Sequence, residues 1–141
     1  MLFNEVTLTP YPGICMNLYQ HELMDHYHRP RNRGPVAHAH FSSSALNPSC
    51  GDAVAYQGTL DQGKMIAEIG FTGKGCVISQ AAASMLSERI KGMSVQEVMK
   101  LDKEYVLSLL GIQLGPTRLR CALLPLEALH QGIAEYILAN K

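Results

Sequence analysis

Alternation with a period of two is confined to one stretch of this chain, and helical periodicity flanks it on both sides. Three segments between Val36 and Phe71 read as strands. In the first, Val36–Leu46, residues Val36, His38 and His40 alternate with Ala37, Ala39 and Phe41. The second is Ala53–Leu60. In the third, Lys64–Phe71, residues Met65, Ala67, Ile69 and Phe71 share one face. Asp61–Gly63 makes the turn between the last two, so they pair as an antiparallel hairpin. Such alternation suits an antiparallel sheet with one solvated face.

Helical patterns surround that sheet. Leu18 to Tyr27 carries a stripe of Leu18, Leu23, Met24 and Tyr27, stopped by Pro30 and Gly34–Pro35. Cys76 to Ile90 reads as a helix closed by Lys91 and Gly92. Its early residues Ser79, Ala81, Ala82, Ala83 and Ser84 are small enough for close approach to a sheet. Ser94 with Glu97 spells a capping box for a short helix, and Asp102 caps the next one, to about Leu110. Gly111 and Gly115–Pro116 read as breaks. Cys121 then precedes a final helix with Leu126, Leu129, Ile133 and Ile137 on one stripe, Glu127 in its early turns and Lys141 at its end. Strands early and helices late give an α+β fold, a three-stranded antiparallel sheet packed against helices with a long C-terminal one. Residues 1–15 read as a loose leader with a short edge strand at Val6–Thr9; residues 16–141 read as a single domain.

Composition narrows the function. In 141 residues, twelve Lys and Arg balance twelve Asp and Glu, which argues against tracking a nucleic-acid backbone. No apolar run reaches the length of a membrane span. The first residues lack the basic flank of a secretory signal, which points to the cytoplasm. Four cysteines are too few for a disulfide scaffold, so their surroundings carry the information.

Cys50 lies in Asn47-Pro48-Ser49-Cys50-Gly51-Asp52, a turn before a strand. Cys76 closes Gly73-Lys74-Gly75-Cys76 before a helix, and Cys121 is read as preceding another. Helix N-termini offer unpaired N–H groups and favour thiolates. Asp52 follows Cys50 across a glycine. Three thiolates and one carboxylate make four ligands, the number taken by tetrahedral zinc and by a 2Fe–2S unit. Either leaves a formal charge of about −2, which Arg118 and Arg120 beside Cys121 would offset. A carboxylate among thiolates is a weaker corner for a soft metal, and such a corner can open. The competing reading is of buried, inert thiols.

Several spaced blocks resemble the U-type iron–sulfur assembly proteins, the group of IscU, SufU and the N-terminal domain of NifU. They are Tyr19 with Asp25-His26-Tyr27; Pro30-Arg31-Asn32-Arg33-Gly34; Asn47 to Asp52; Gly73 to Ser79 with Ala81, Ala83, Ser84 and Met85; and Arg118-Leu119-Arg120-Cys121 with Ala128-Leu129. The resemblance implies that Cys50, Asp52, Cys76 and Cys121 form one metal site, with Gly51, Gly75, Arg118 and Arg120 in support. It implies acceptance of persulfide sulfur from a PLP-dependent cysteine desulfurase. It also implies a transient 2Fe–2S cluster (or iron), bound for apo iron–sulfur proteins, and binding of zinc. Arg120 stands where the Isc branch has His, and Leu114-Gly115-Pro116-Thr117-Arg118 departs from that branch's chaperone segment, so a dedicated Hsp70 pair is not implied. Arg120 resembles SufU, whereas the 45-residue interval between Cys76 and Cys121 lacks the SufU insertion.

The mechanism this implies has one cysteine taking the outer sulfur of the donor persulfide, with Asp52 as the labile ligand. Cys121 is the expected acceptor because a helix-start residue beside Gly and Pro can move; Cys76 is the alternative. Rival readings are a zinc-dependent sulfurtransferase of SufU type, a structural zinc domain that only binds partners, and a metal hydrolase for which no motif occurs. Elsewhere, His26 is expected to order the Pro30–Gly34 link, and His38 and His40 to share a solvated strand face. Cys15 reads as a bystander, and Lys74 as a solvated charge. Arg29, Arg31 and Arg33 form a basic run that is either a solvated turn or a dock for an acidic desulfurase surface.

Overall fold

The computed structural model describes residues 18–49, 51–62 and 64–140. The expectations for the leader, the Val6–Thr9 strand and Cys15 lie outside them, as do those for Cys50, Gly63 and Lys141. The elements run α1 (Leu18–His28), β1 (Phe41–Asn47), β2 (Asp52–Asp61), β3 (Met65–Lys74), α2 (Val77–Ile90), α3 (Val95–Met99), α4 (Lys103–Leu110) and α5 (Pro116–Ala139). The sheet is antiparallel in the order β1-β2-β3. The fold is α+β with a long C-terminal helix, as the pattern of periods implies.

Local chemistry sets most boundaries. Ser94 and Glu97 close a reciprocal capping box on α3. Asp102 caps α4 by accepting the Tyr105 N–H, and Gly111 ends that helix in the left-handed conformation. One face of the sheet packs on α5 through Phe41, Val54, Tyr56, Phe71, Leu129 and Ile133. A second apolar cluster lies between helices, with Leu23 of α1, Ala81 and Leu86 of α2, Leu110 of α4 and Ala122 of α5. The small residues of α2 allow contact with the sheet: the Tyr56 hydroxyl donates to the Ala83 carbonyl at 2.8 Å.

Four expectations are corrected. Residues 36–40 are not strand; β1 starts at Phe41, and His38 has φ of 56°, which no extended strand accommodates. His38 and His40 therefore share no strand face; the His40 Nδ1 accepts the Leu60 N–H instead. In β3, Met65 and Ala67 face solvent and Ile66 is buried. Leu60 pairs with Ile66 while Thr59 pairs with Glu68, so Ala67 is an extra residue that shifts the phase of the alternation. In α1, Leu18 is 79% exposed, and the inward face is Leu23 and His26. Finally, α5 starts at Pro116, so Cys121 lies inside it and Glu127 is mid-helix. Gly115–Pro116 is a helix start, since proline fits the first position where no N–H is needed.

The Asn32–Gly34 segment covers the open edge of β3. Gly34 N–H donates to the Phe71 carbonyl, and Phe71 N–H donates to that of Asn32. His26 anchors this link through α2. Its Nδ1 lies 2.7 Å from the Ser84 hydroxyl, which also accepts the Arg31 N–H, and its Nε2 lies 3.4 Å from Glu88. A neutral ring with hydrogen on Nε2 satisfies both neighbours: Glu88 accepts, and the Ser84 hydroxyl donates to Nδ1. Burial lowers the His26 pKa, and the nearby Arg31 lowers it further against the opposing carboxylates. The unfolded ring therefore takes a proton at higher pH than the folded one. Stability from this group is full above the ordinary histidine value of 6.5 and declines as pH falls through the depressed folded value. Thermal unfolding of the wild type between pH 7.5 and 5.5 should show a falling midpoint. His26→Gln should be less stable at pH 7.5 by about 1–3 kcal/mol, with a flatter pH profile; an equally steep profile would remove His26 as the cause.

Candidate metal centre

An antiparallel hairpin places the start of its first strand beside the end of its second. Here Ala53 pairs with Lys74, and Asn47 with Asp52. The β1–β2 turn and the β3–α2 junction therefore meet at one end of the sheet. The second turn of α5 packs there too, and carries Cys121. A carboxylate oxygen of Asp52 and the sulfurs of Cys76 and Cys121 all lie within 4.8 Å of one another. These three residues sit 24 and 45 positions apart in the chain. Cys50 lies outside the described residues; its neighbour Gly51 donates its N–H to the Asn47 carbonyl across the turn.

The three donors differ in access. Asp52 is 1% exposed and Cys121 is 3% exposed, whereas Cys76 is partly open to solvent. Cys76 is the N-cap of α2, and its sulfur accepts the Ser79 N–H at 3.5 Å. The Asp52 carboxylate is anchored by the same residue: Oδ1 accepts the Cys76 N–H at 2.8 Å, and Oδ2 lies 3.8 Å from the Cys76 sulfur. Gly75 makes this possible. Its φ is +135°, and a Cβ there would collide with Asp52 Oδ1. Cys76 also opens onto an apolar cleft of about 400 Å³, walled by Leu23, Met24, Ile78 and Ile112, with Arg118 at its side. Arg120 is exposed and borders a separate small depression with Leu46.

The donor chemistry fits a thiophilic metal. Tetrahedral zinc with sulfur at about 2.3 Å and oxygen at about 2.0 Å separates its ligands by about 3.5–3.8 Å. The Asp52–Cys76 separation already matches, and small side-chain adjustments bring in Cys121. A fourth donor is still needed, and Cys50 stands two residues before Asp52 in the sequence. The helix-start premise for Cys121 does not hold, because Leu119 N–H already bonds to the Gly115 carbonyl one turn before it.

The sequence model of the NifU-like N terminal domain matches residues 18–141. The chain belongs to this family. It is 34% identical over 135 residues to the zinc-dependent sulfurtransferase SufU of Bacillus subtilis, covering 84% of this chain and 90% of the relative. That alignment is longer than the share of this chain it covers, so the SufU relative carries residues absent here. The scaffold protein IscU of Aquifex aeolicus is 32% identical over 121 residues, 85% of this chain and 76% of the relative, nearly without insertions. Among solved structures, a SufU scaffold protein from Fervidobacterium islandicum superposes with a TM-score of 0.68 at 28% identity, covering 79% of this chain and 93% of that one. The N-terminal NifU-like protein of Brucella abortus shares the fold at 16% identity, with a TM-score of 0.69 over 86% of this chain and 95% of that one.

Sequence reading missed the buried His26–Ser84 contact and the seat of Arg33. The Arg33 guanidinium donates to the Gly73 carbonyl at 2.9 Å and lies over the Phe71 ring. These partners are 38 or more residues away, so no local pattern announces them. Gly75→Ala should push Asp52 aside and weaken zinc affinity about ten- to a hundredfold, measured by chelator competition on protein with unchanged far-UV circular dichroism. Unaltered affinity would show that Asp52 needs no glycine beside it.

Proposed function

We propose that this protein accepts persulfide sulfur from a PLP-dependent cysteine desulfurase and assembles a transient 2Fe–2S cluster for delivery to apo iron–sulfur proteins. The convergence of Asp52, Cys76 and Cys121, with one thiol open and one buried, supports the reading most directly. Family membership and the names of the relatives point the same way.

The transfer step is thiol exchange. A thiolate of this chain attacks the outer sulfur of the donor persulfide. A new S–S bond forms, the donor S–S bond breaks, and the donor cysteine leaves as thiolate. No oxidant or reductant is consumed. Turning that sulfur into sulfide afterwards takes two electrons, from ferrous iron and an external one-electron donor. When bound, zinc would keep the thiols deprotonated at neutral pH. Access favours Cys76 as the first point of contact, with the α2 N-terminus stabilising its charge. Cys121 takes sulfur only if the first turns of α5 swing outward. Asp52 serves as the ligand that lets go, because its carboxylate binds a soft metal less tightly than thiolate does.

Incubation with desulfurase and cysteine should add one sulfur atom to a cysteine-containing peptide, mapped by mass spectrometry. Loss of the label in Cys76→Ser but not in Cys121→Ser assigns the acceptor; the reverse pattern assigns Cys121. No label on any cysteine would overturn the reading and leave a structural zinc domain. A SufU-like sulfurtransferase is the second reading, favoured by Arg120 directly before Cys121 and by the SufU relative. Anaerobic addition of ferrous iron and a thiol reductant separates the two: visible cluster absorbance favours the scaffold, and zinc-dependent stimulation of the desulfurase without cluster favours the transferase. In the scaffold case Asp52→Ala should lengthen the cluster's lifetime toward an apo acceptor. An unchanged lifetime would remove Asp52 from the release step.

A further inference from the structure

We propose that a polar cleft beside the Cys76 loop is the docking seat for an acidic segment of the sulfur-donating protein. This rests on the sulfur-acceptance reading above. The cleft has a volume of about 400 Å³, and its walls include Tyr27, His28, Arg33, Lys74, Gly75 and Gln80. None of the residues lining it is a carboxylate, and two are permanent cations.

The positive charge there is uncompensated for a specific reason. Arg29 and Arg31, which precede Arg33 in the chain, are both ion-paired to Asp25, and Arg31 also faces Glu88. The basic run is therefore split: two arginines are neutralised within α1 and α2, and Arg33 is sent elsewhere. Its guanidinium is held over Phe71 at 5.6 Å and bonded to the Gly73 carbonyl, so it is placed in advance. Lys74 is exposed and has no ion pair among the described residues. One fixed and one exposed cation beside a phenol and an imidazole present donors and positive charge to whatever enters.

Position links the cleft to the chemistry. Lys74 and Gly75 line it, and the next residue is Cys76, whose own side lines the apolar cleft. An occupant of the polar cleft is therefore anchored one residue from the open thiol. A partner's aspartate or glutamate side chains match this surface. A nucleic-acid strand does not, because the chain is neutral overall and an extended basic track is missing from the cleft. Charge complementarity of this kind steers encounter and fixes the orientation of a donor loop.

The test measures affinity for a cysteine desulfurase from the same organism. Lys74→Glu should raise the Kd about tenfold or more, and it should flatten the loss of affinity as salt is added. Lys91→Glu makes the same change of net charge at the far end of α2, and should bind like the wild type. Thermal unfolding midpoints check that both variants fold. If the wild type neither binds the desulfurase nor gains sulfur from it, the sulfur-acceptance reading fails and the docking seat falls with it. If the wild type binds and gains sulfur while Lys74→Glu binds equally well, or while Lys91→Glu is weakened as much, only the docking seat is overturned.

Discussion

The hydrogen bond from the Cys76 N–H to the buried Asp52 carboxylate fixes the candidate centre. A carboxylate with 1% exposure needs donors at close range, since an unpaired buried charge is costly. The β2–β3 pairing brings Asp52 to the β3–α2 junction, and Gly75 removes the one side chain that would stand between the two residues. The same contact orients the first residue before α2, so the Cys76 sulfur lies where the helix offers the Ser79 N–H. One hydrogen bond thus couples strand register, helix start and thiol placement. A slip of one residue in that register would turn Asp52 to the other face of the sheet.

Charge is arranged around that contact with little waste. The chain is neutral as a whole, yet its arginines are sorted by neighbour rather than by sequence position. Asp25 and Glu88 hold Arg29 and Arg31 at the α1–α2 contact. Arg33, Lys74, Arg118 and Arg120 face the clefts and depressions near the centre instead. A site that gathers thiolates and a carboxylate carries negative charge, and cations nearby lower the cost of assembling it.

Much of this was legible in the chain. Asp61–Gly63 announced the hairpin, Ser94 and Glu97 the capping box, and Gly111 the end of α4, because each acts through neighbours within a few residues. Alternation continues through residues 36–40 and makes the first strand read too long, while the backbone at His38 turns left-handed. The bulge at Ala67 hid in the same way, since a period of two counts residues and a bulge inserts one. Asp52, at the end of the turn before a strand, and Cys76, just before a helix, were legible from their own neighbours. The buried state of His26 was not, because its partners Ser84 and Glu88 lie some sixty residues on.

The misread start of α5 changes the chemistry as well as the boundary. Helices α2, α3 and α4 each begin with a side chain that accepts a backbone N–H, but Gly115 gives α5 none. Within the helix, Pro125 supplies no N–H toward the Cys121 carbonyl four residues back, a substitution that costs a helix interior about 3 kcal/mol. The turns that carry Cys121 are buried against the core through Ala122, Leu124 and Leu126. Burial keeps the Cys121 sulfur from solvent. A partner that displaces the apolar wall near Cys76 would disturb the same helix cluster that buries Cys121, since both thiols pack against it.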